Sequence, residues 1–75
     1  MKQTLIDLVK AIVEHPEQVS VEERLDGDTV ILELTVAKQD VGRVIGKEGK
    51  IAKSIRTVMR AAASRENKRV VVDIL

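Results

Sequence analysis

Hydrophobic positions near the start of the chain follow a helical period. They form a stripe at i, i+3, i+4 and i+7 made of Leu5, Leu8, Val9 and Ile12, widened by Ile6 and Val13. This spacing predicts an amphipathic helix from Lys2 to about Glu14. The dipeptide His15-Pro16 should end that helix, because the residue before a proline is disfavoured in the α-helical region.

A strand period comes next. Residues 19–25 alternate weakly, as an edge strand does, whereas residues 29–36 alternate clearly and place Val30, Leu32, Leu34 and Val36 on one face. The turn sequence Asp26-Gly27-Asp28 separates the two segments. The pattern therefore predicts an antiparallel β-hairpin.

The second half of the chain predicts a short helix, a long helix and a strand. Asp40 is suited to cap a short helix that begins at Val41, which three glycines keep from growing long. A longer helix is predicted from Lys50 to about Arg65, with Asn67 suited to its end. Residues 70–75, four of which are β-branched, predict the last strand.

The order of these elements limits the topology. The last strand is reached from the second strand through helices, so the two should be parallel if they are neighbours, with a right-handed crossover. The predicted fold is a single α+β domain over residues 1–75, in the order α-β-β-α-α-β. Its three-stranded mixed sheet should carry all helices on one face.

Composition excludes several classes of protein. The 75 residues include no cysteine and no aromatic residue, and 44% are hydrophobic, so the core must be aliphatic. Disulfides and thiolate zinc sites are therefore excluded, and the single histidine, His15, cannot build a metal site, so no cofactor is expected. No apolar run approaches the roughly 20 residues of a membrane span, and we expect a cytoplasmic protein.

Charge is distributed unevenly along the chain. The net charge is only +1, but residues 1–37 contain three basic and eight acidic residues, whereas residues 38–75 contain ten basic and four acidic residues. Such asymmetry is typical of a polyanion-binding site built from the second half. Ordinary solvated surface charge explains the same numbers equally well, so composition alone leaves both readings open.

The candidate chemistry lies in one run of nine residues, namely Arg43, Val44, Ile45, Gly46, Lys47, Glu48, Gly49, Lys50 and Ile51. We call residues 46–49 the glycine loop. Its two glycines allow a tight turn and a close approach of ligand to backbone. The N–H groups and positive dipole end of the following helix favour an anion, and Lys47 and Lys50 add positive charge.

The long helix carries the positive charge further. At about 100° per residue, one arc of the helix is apolar and the opposite arc is basic. The apolar arc contains Ile51, Ala52, Ile55, Val58, Met59, Ala62 and Ala63, and the basic arc contains Lys53, Arg56, Thr57 and Arg60 beside Lys50. Any surface helix has a polar side, but this side has no acidic residue from Lys50 to Arg65. We call the basic arc the basic ridge.

Two nucleotide-binding motifs do not fit the loop. A mononucleotide P-loop needs four residues between its glycines, but only three separate Gly42 from Gly46, and Glu48 stands where the magnesium-binding hydroxyl belongs. The dinucleotide pattern G-x-G-x-x-G is absent as well. An enzyme is disfavoured for a further reason, because no acid-base or metal constellation accompanies the anion site.

The segment from Val44 to Ile55, with the sequence VIGKEGKIAKSI, resembles the V-I-G-x-x-G-x-x-I-x-x-I signature of KH domains. The extra helix and strand ahead of the β-α-α-β core are similar to the type II arrangement. The whole chain resembles the bacterial single-KH proteins of the KhpA family. In KH domains this loop clamps the backbone of about four nucleotides.

This resemblance implies a role for each residue of the run. Gly46 and Gly49 would permit close approach, and Lys47, Lys50 and Lys53 would meet phosphates. Three apolar residues, Val44, Ile45 and Ile51, would lie near a groove for bases, although Ile45 and Ile51 fit a plain core role equally well. Glu48 departs mildly from the expectation, because it places a negative charge inside the clamp.

The resemblance also implies partners. It suggests single-stranded RNA, a role as RNA chaperone or post-transcriptional regulator, and pairing as a homodimer or with a larger KH protein of the KhpB (Jag) type. Membranes and small-molecule substrates are not expected. The alternative is a dimerisation module in which RNA binding is secondary. The small residues 61–64 permit close packing, but ordinary helix-former content explains them as well.

Overall fold

The computed structural model describes residues 1–75, with three helices and three strands. In chain order these are α1 (Lys2–Lys10), β1 (Ser20–Asp26), β2 (Thr29–Thr35), α2 (Val41–Ile45), α3 (Lys50–Arg65) and β3 (Arg69–Ile74). Short 3-10 turns occupy Pro16–Gln18, Lys38–Asp40 and Lys47–Gly49. The predicted α+β order is confirmed. No helix combines the length and apolar character needed to cross a membrane.

The hairpin forms because its two strands bury one alternating face. β1 and β2 pair antiparallel from Ser20 opposite Thr35 to Asp26 opposite Thr29. Gly27, in the two-residue turn, has φ of +62°, which glycine adopts without steric cost. The predicted apolar face of this segment is confirmed, since Val30, Leu32, Leu34 and Val36 are all buried.

β3 completes the sheet beside β2. It pairs in parallel, from Arg69 opposite Thr29 to Ile74 opposite Leu34, so the strand order is β1-β2-β3. β2 is therefore central, and β1 is an edge strand as predicted. The parallel pairing is also as predicted. Two helices connect β2 to β3, and this long crossover returns the chain so that both strands run in the same direction.

All three helices contribute to a single aliphatic core on one side of the sheet. The helix residues of this cluster are Leu5, Val9, Val44, Ile55 and Met59, and they pack with Val21, Val30, Leu32, Leu34, Val36 and Val72. Alternate residues of β2 lie outside this cluster; among them, Glu33 pairs with Arg24 of β1 at 3.2 Å. The sheet thus has one packed face. The loop between α2 and α3 is held near that face, because both helices contribute residues to the core.

α1 is shorter than the hydrophobic pattern predicts. It ends at Lys10 rather than near Glu14, six residues before Pro16. The backbone N–H groups of Glu14 and His15 do not continue the helix, because they donate to the Asp40 carboxylate at 3.1 and 2.9 Å. The expected cap is also wrong in detail. Asp40 precedes α2, but its side chain makes no capping bond there.

α3 agrees with its predicted bounds. Asn67 has φ of +57°, and the N–H groups of Asn67 and Lys68 donate to the carbonyls of Ser64 and Ala63, which ends the helix in a Schellman motif. The apolar arc of α3 is wider than the sheet covers, however. Val58 was expected on the packed side but is 45% exposed.

Candidate nucleic-acid interface

The glycine loop is a sharp turn between two helices. Gly46, Glu48 and Gly49 all have positive φ, at +76°, +58° and +74°. A non-glycine residue in this region costs about 1 kcal/mol, so the turn is held by its surroundings. The Gly49 N–H donates to the Gly46 carbonyl at 3.2 Å and closes the turn. The loop therefore presents its backbone within one tight bend.

Gly46 is the most constrained residue of the loop. A Cβ atom placed there would lie only 2.6 to 2.9 Å from side-chain carbons of Ile51. Its N–H donates to the Gly42 carbonyl at 2.8 Å, which ties the loop to α2. At Gly49, by contrast, a Cβ atom would meet nothing within 4 Å. Packing and backbone conformation both require glycine at 46, whereas only conformation favours it at 49.

The start of α3 favours a bound anion. Its cap residue, Gly49, has no side chain to accept the first N–H groups, and the first turn contains no acidic residue. The positive end of the helix dipole is therefore uncompensated within α3. Lys47, Lys50 and Lys53 are exposed around it, so the predicted lysines lie together at one end of the helix. Glu48 is exposed beside them and supplies the opposing charge.

Two residues of the basic ridge, Arg56 and Arg60, border the free edge of β3. Arg56 is half-buried, and its Nε donates to the Val72 carbonyl at 3.3 Å. A cavity of about 220 Å³ lies here, lined by Arg56, Arg60 and residues 70–73. A second cavity of about 330 Å³ continues it, lined by Arg60, Lys68, Arg69 and Val70. We call the two together the α3–β3 groove.

Sequence reasoning identified the ridge but missed the strand that faces it. Arg56 and Arg60 were assigned to the basic arc, yet they were not included among the site residues. Neither Lys68 nor Arg69 was predicted to take part in the site; in the structure Lys68 lies between α3 and β3, and Arg69 begins β3. The available signal was the crossover topology, which returns the chain from the end of α3 into β3 and so brings these cations beside Arg60.

The predicted apolar residues have different environments. Val44 is fully buried, so its side chain belongs to the core and does not border a groove as expected. Ile45 is 39% exposed and does reach the surface. Ile51 is half-buried, packed against the core and against the Gly46 backbone. The residue at the first isoleucine position of the KH signature is Ala52, which is buried, so the match is incomplete there.

Arg43 is engaged within the protein. Its guanidinium pairs with the Glu14 carboxylate, and its Nε lies 3.9 Å from Asp40 Oδ1. Burial raises the pKa of Asp40, but hydrogen bonds from the Glu14 and His15 backbones and the nearby charges of His15 and Arg43 outweigh it, so the pKa lies below its ordinary value. These contacts join the start of α2 to the chain that follows α1.

A separate apolar groove lies between α1 and α3. It has a volume of about 220 Å³ and is lined by Leu8, Ile12, Ile51, Ser54, Ile55 and Val58. One of these lining residues, Val58, is 45% exposed. Because this groove contains no charged side chain, it suits an apolar surface of another protein better than a nucleic-acid strand.

Comparison with known proteins gives one consistent result. A family model described as "KhpA/KhpB, KH domain" matches residues 2–74. The RNA-binding protein KhpA of Clostridium acetobutylicum is 55% identical over 75 residues, covering both chains completely. The protein of the same name from Chlamydia muridarum is 47% identical, covering all of this chain and 96% of that protein.

One solved structure shares the fold. A crystal structure of an Aquifex aeolicus Era variant superposes with a TM-score of 0.68 over 97% of this chain. The sequence identity is 15%, so the likeness concerns the fold alone. The present chain corresponds to 28% of that longer protein.

Proposed function

The chain belongs to the KhpA/KhpB family of KH domains, and from this membership we propose that it binds single-stranded RNA without catalysing a reaction. The observation that carries the proposal is the glycine loop, whose tight bend opens into an uncapped helix start among exposed lysines. A phosphate next to the loop would meet the positive end of the α3 dipole and the charge of the lysines together.

The geometry supports a division of roles around the loop. Gly46 and Gly49 leave the backbone accessible, and Lys47, Lys50 and Lys53 are placed to neutralise phosphates. Ile45 is the apolar residue that a base would contact. Arg43 acts indirectly, because its ion pair with Glu14 orients α2. Val44 and Ile51 support the loop from the core.

The α3–β3 groove extends the path for the RNA strand beyond the loop. Its cations lie where successive phosphates would follow, and the free edge of β3 offers backbone groups to bases. No aromatic ring is present for stacking, which is worth about 1–3 kcal/mol per base in other proteins. We therefore expect modest affinity, strong salt dependence and little sequence selectivity.

In the cell, this activity corresponds to an RNA chaperone or post-transcriptional regulator in the cytoplasm. A single domain with one clamp binds weakly, so pairing would raise its apparent affinity through effective concentration. A homodimer or a heteromer with a KhpB (Jag)-type KH protein would supply the second clamp. The family model that matches this chain covers the KH domains of both KhpA and KhpB, which supports the proposal of these two partners.

A second candidate function is supported by the apolar groove. In that alternative the chain is chiefly a protein-interaction module, and RNA binding is secondary. The uncharged lining and the exposed Val58 favour a protein surface at this place. The two functions are compatible in one molecule, because the apolar groove and the glycine loop are different surfaces.

Charge reversal in the loop tests the proposed function. The double variant Lys47→Asp with Glu48→Asp should keep the fold, since Lys47 is exposed and aspartate tolerates the left-handed conformation at position 48. We expect it to abolish crosslinking of the protein to RNA in cells. The matched control is Lys10→Asp, which removes the same charge from exposed α1 and should leave crosslinking intact.

Two results would count against the proposal. If the loop variant recovers as much RNA as the unmodified protein, RNA does not bind at the loop, and the main function moves to the apolar groove. If Lys10→Asp weakens crosslinking equally, general charge rather than the loop attracts the RNA.

A further inference from the structure

The sheet has one face that no helix of the chain covers. All three helices contribute to the core on the other face, so alternate side chains of each strand point away from them. The strand registers place these outward residues in rows that cross the sheet from β1 through β2 to β3. We call this surface the open sheet face, and its two middle rows are Glu22, Glu33 and Asp73, then Arg24, Ile31 and Val71.

The first of these rows is a line of three carboxylates. Glu22 stands opposite Glu33, and Glu33 stands opposite Asp73 on the third strand. Side chains opposite each other on neighbouring strands are about 5 Å apart, and like charges in such positions are destabilising. Arg24 neutralises Glu33 through an ion pair of 3.2 Å, but neither Glu22 nor Asp73 has a cation within 4 Å. The row therefore carries negative charge that no contact within the fold neutralises.

The second row is apolar at its centre. Ile31 is half-buried and stands opposite Val71, which is 44% exposed. Outward positions of a sheet that faces water are typically polar, so two neighbouring aliphatic side chains depart from that pattern. Exposed apolar surface bordered by polar residues is typical of a place where another protein binds.

The charges on the open sheet face limit what can bind there. It carries four carboxylates and two guanidinium groups, a net charge of −2, from Glu22, Asp26, Glu33 and Asp73 with Arg24 and Arg69. This charge repels the phosphates of nucleic acids and of anionic lipids. A second copy of the chain would have to bring the lysines and arginines around α3, which the proposed function assigns to RNA. A basic segment of a different protein is complementary to this face in both charge and polarity.

We propose that the open sheet face binds a lysine- or arginine-rich segment of another protein. Glu22 and Asp73 lie two strand spacings apart, which is about 10 Å. Positions i and i+7 of a helix present two cations at about the same distance. Aliphatic residues between those cations would cover Ile31 and Val71. The proposal does not depend on RNA binding, although Val71 and Asp73 also line the α3–β3 groove, so the two surfaces meet at β3.

Nuclear magnetic resonance with a synthetic helical peptide tests this contact. The probe has lysine at positions i and i+7 with leucine between them, and a second peptide has glutamate in place of lysine. We expect the lysine peptide to shift the amide signals of Glu22, Ile31 and Val71 in a saturable way and the glutamate peptide to leave them unchanged. The double variant Glu22→Gln with Asp73→Asn should weaken binding about tenfold, because it removes both unpaired charges. Val71→Thr should weaken it too, because it replaces a methyl group with a hydroxyl.

Glu23→Gln is the matched control. Glu23 lies on the same strand as Glu22 but on the opposite side, since it stands opposite the buried Leu32, and its removal should leave binding unchanged. Thermal unfolding of the double variant is the second measurement. Its melting temperature should stay the same or rise, because like charges across the strands are relieved.

Four results would overturn the proposal. If the melting temperature of the double variant falls, the carboxylates serve the fold. If Glu23→Gln weakens binding as much as the double variant does, general negative charge attracts the peptide. If dilution of the protein alone shifts the signals of Glu22 and Ile31, a second copy occupies the face. If single-stranded RNA shifts these two signals, nucleic acid occupies it.

Discussion

At the scale of single residues, Asp40 shows how a buried charge organises this small fold. Its side chain is 1% exposed, yet both carboxylate oxygens accept backbone N–H groups from a segment about 25 residues earlier in the chain. A buried carboxylate is tolerated only when it is paired in this way. Asp40 thus substitutes for helical hydrogen bonds at the end of α1 and fixes the position from which α2 begins.

The lowered pKa of Asp40 gives a prediction on pH. Its carboxylate stabilises the fold above the ordinary value of about 3.8, and this contribution is lost as pH falls below that value toward the folded-state pKa. Asp40→Asn retains only one acceptor oxygen, so we expect its melting temperature near neutral pH to fall by about 10 °C. Circular dichroism should show the two proteins converging as the solution is acidified below about pH 4. A constant gap down to about pH 2 would contradict this role.

The two loop glycines should differ in stability when replaced. Gly46→Ala adds a clash with Ile51 to the backbone strain, and we expect a loss of about 2–3 kcal/mol in the free energy of unfolding. Gly49→Ala adds strain alone and should cost about 1 kcal/mol. Urea denaturation measures both values. Equal losses would show that Ile51 does not restrain the loop.

At the scale of elements, α3 serves three surfaces at once. The buried residues Ala52, Ile55, Met59 and Ala63 lie on one face. Arg56 and Arg60 of the basic ridge face the free edge of β3, and Val58 borders the groove beside α1. A sixteen-residue helix can do this because its side chains radiate in all directions at 3.6 residues per turn. Each face of α3 therefore belongs to a different surface of the protein.

The ridge yields a prediction on salt dependence. If Arg60 contacts a phosphate, Arg60→Gln should weaken RNA binding similarly for all sequences and reduce the slope of log affinity against log salt by about 0.7. Fluorescence anisotropy over a range of potassium chloride concentrations measures the slope. Lys10→Gln removes one positive charge from α1 and is the control. An unchanged slope for Arg60→Gln would remove this end of the α3–β3 groove from the RNA path.

Element boundaries show where a pattern in the sequence suffices. The bounds of α3 and the buried face of β2 follow from local periodicity, and the structure agrees with both. The predicted end of α1 was wrong, because the position where this helix ends depends on a carboxylate that is distant in the chain. The prediction that Val58 packs on the sheet was wrong as well. Helical periodicity identifies an apolar arc, but it does not say which part of that arc the sheet covers.

At the scale of the whole molecule, the apolar side chains form one buried core and one exposed groove. The core is aliphatic and small, and the apolar groove between α1 and α3 leaves further aliphatic surface in contact with water. A second protein chain in that groove would bury it, which stabilises by about 25 cal/mol per Å² of apolar area. The glycine loop would remain free on the same molecule.

A dimer that uses this groove should be sensitive to Val58. Val58→Asp places a charge in the interface, yet it should not unfold the monomer, because Val58 is already 45% exposed. We expect analytical ultracentrifugation to show a shift from dimer to monomer, with weaker binding to long RNA through lost avidity. Thr4→Asp on α1 is the control. A protein that is already monomeric before substitution would contradict homodimer formation.

The sequence by itself determined the order of elements, the two-layer α+β arrangement and the glycine loop with its lysines, because these depend on local periodicity, glycine and charge. Only the tertiary structure decided that Val44 is core, that Arg43 pairs with Glu14, that Gly42 faces open space and that β3 closes the groove beside Arg60. These facts depend on contacts between residues far apart in the chain, and no local pattern specifies which distant backbone or side chain will occupy a given face.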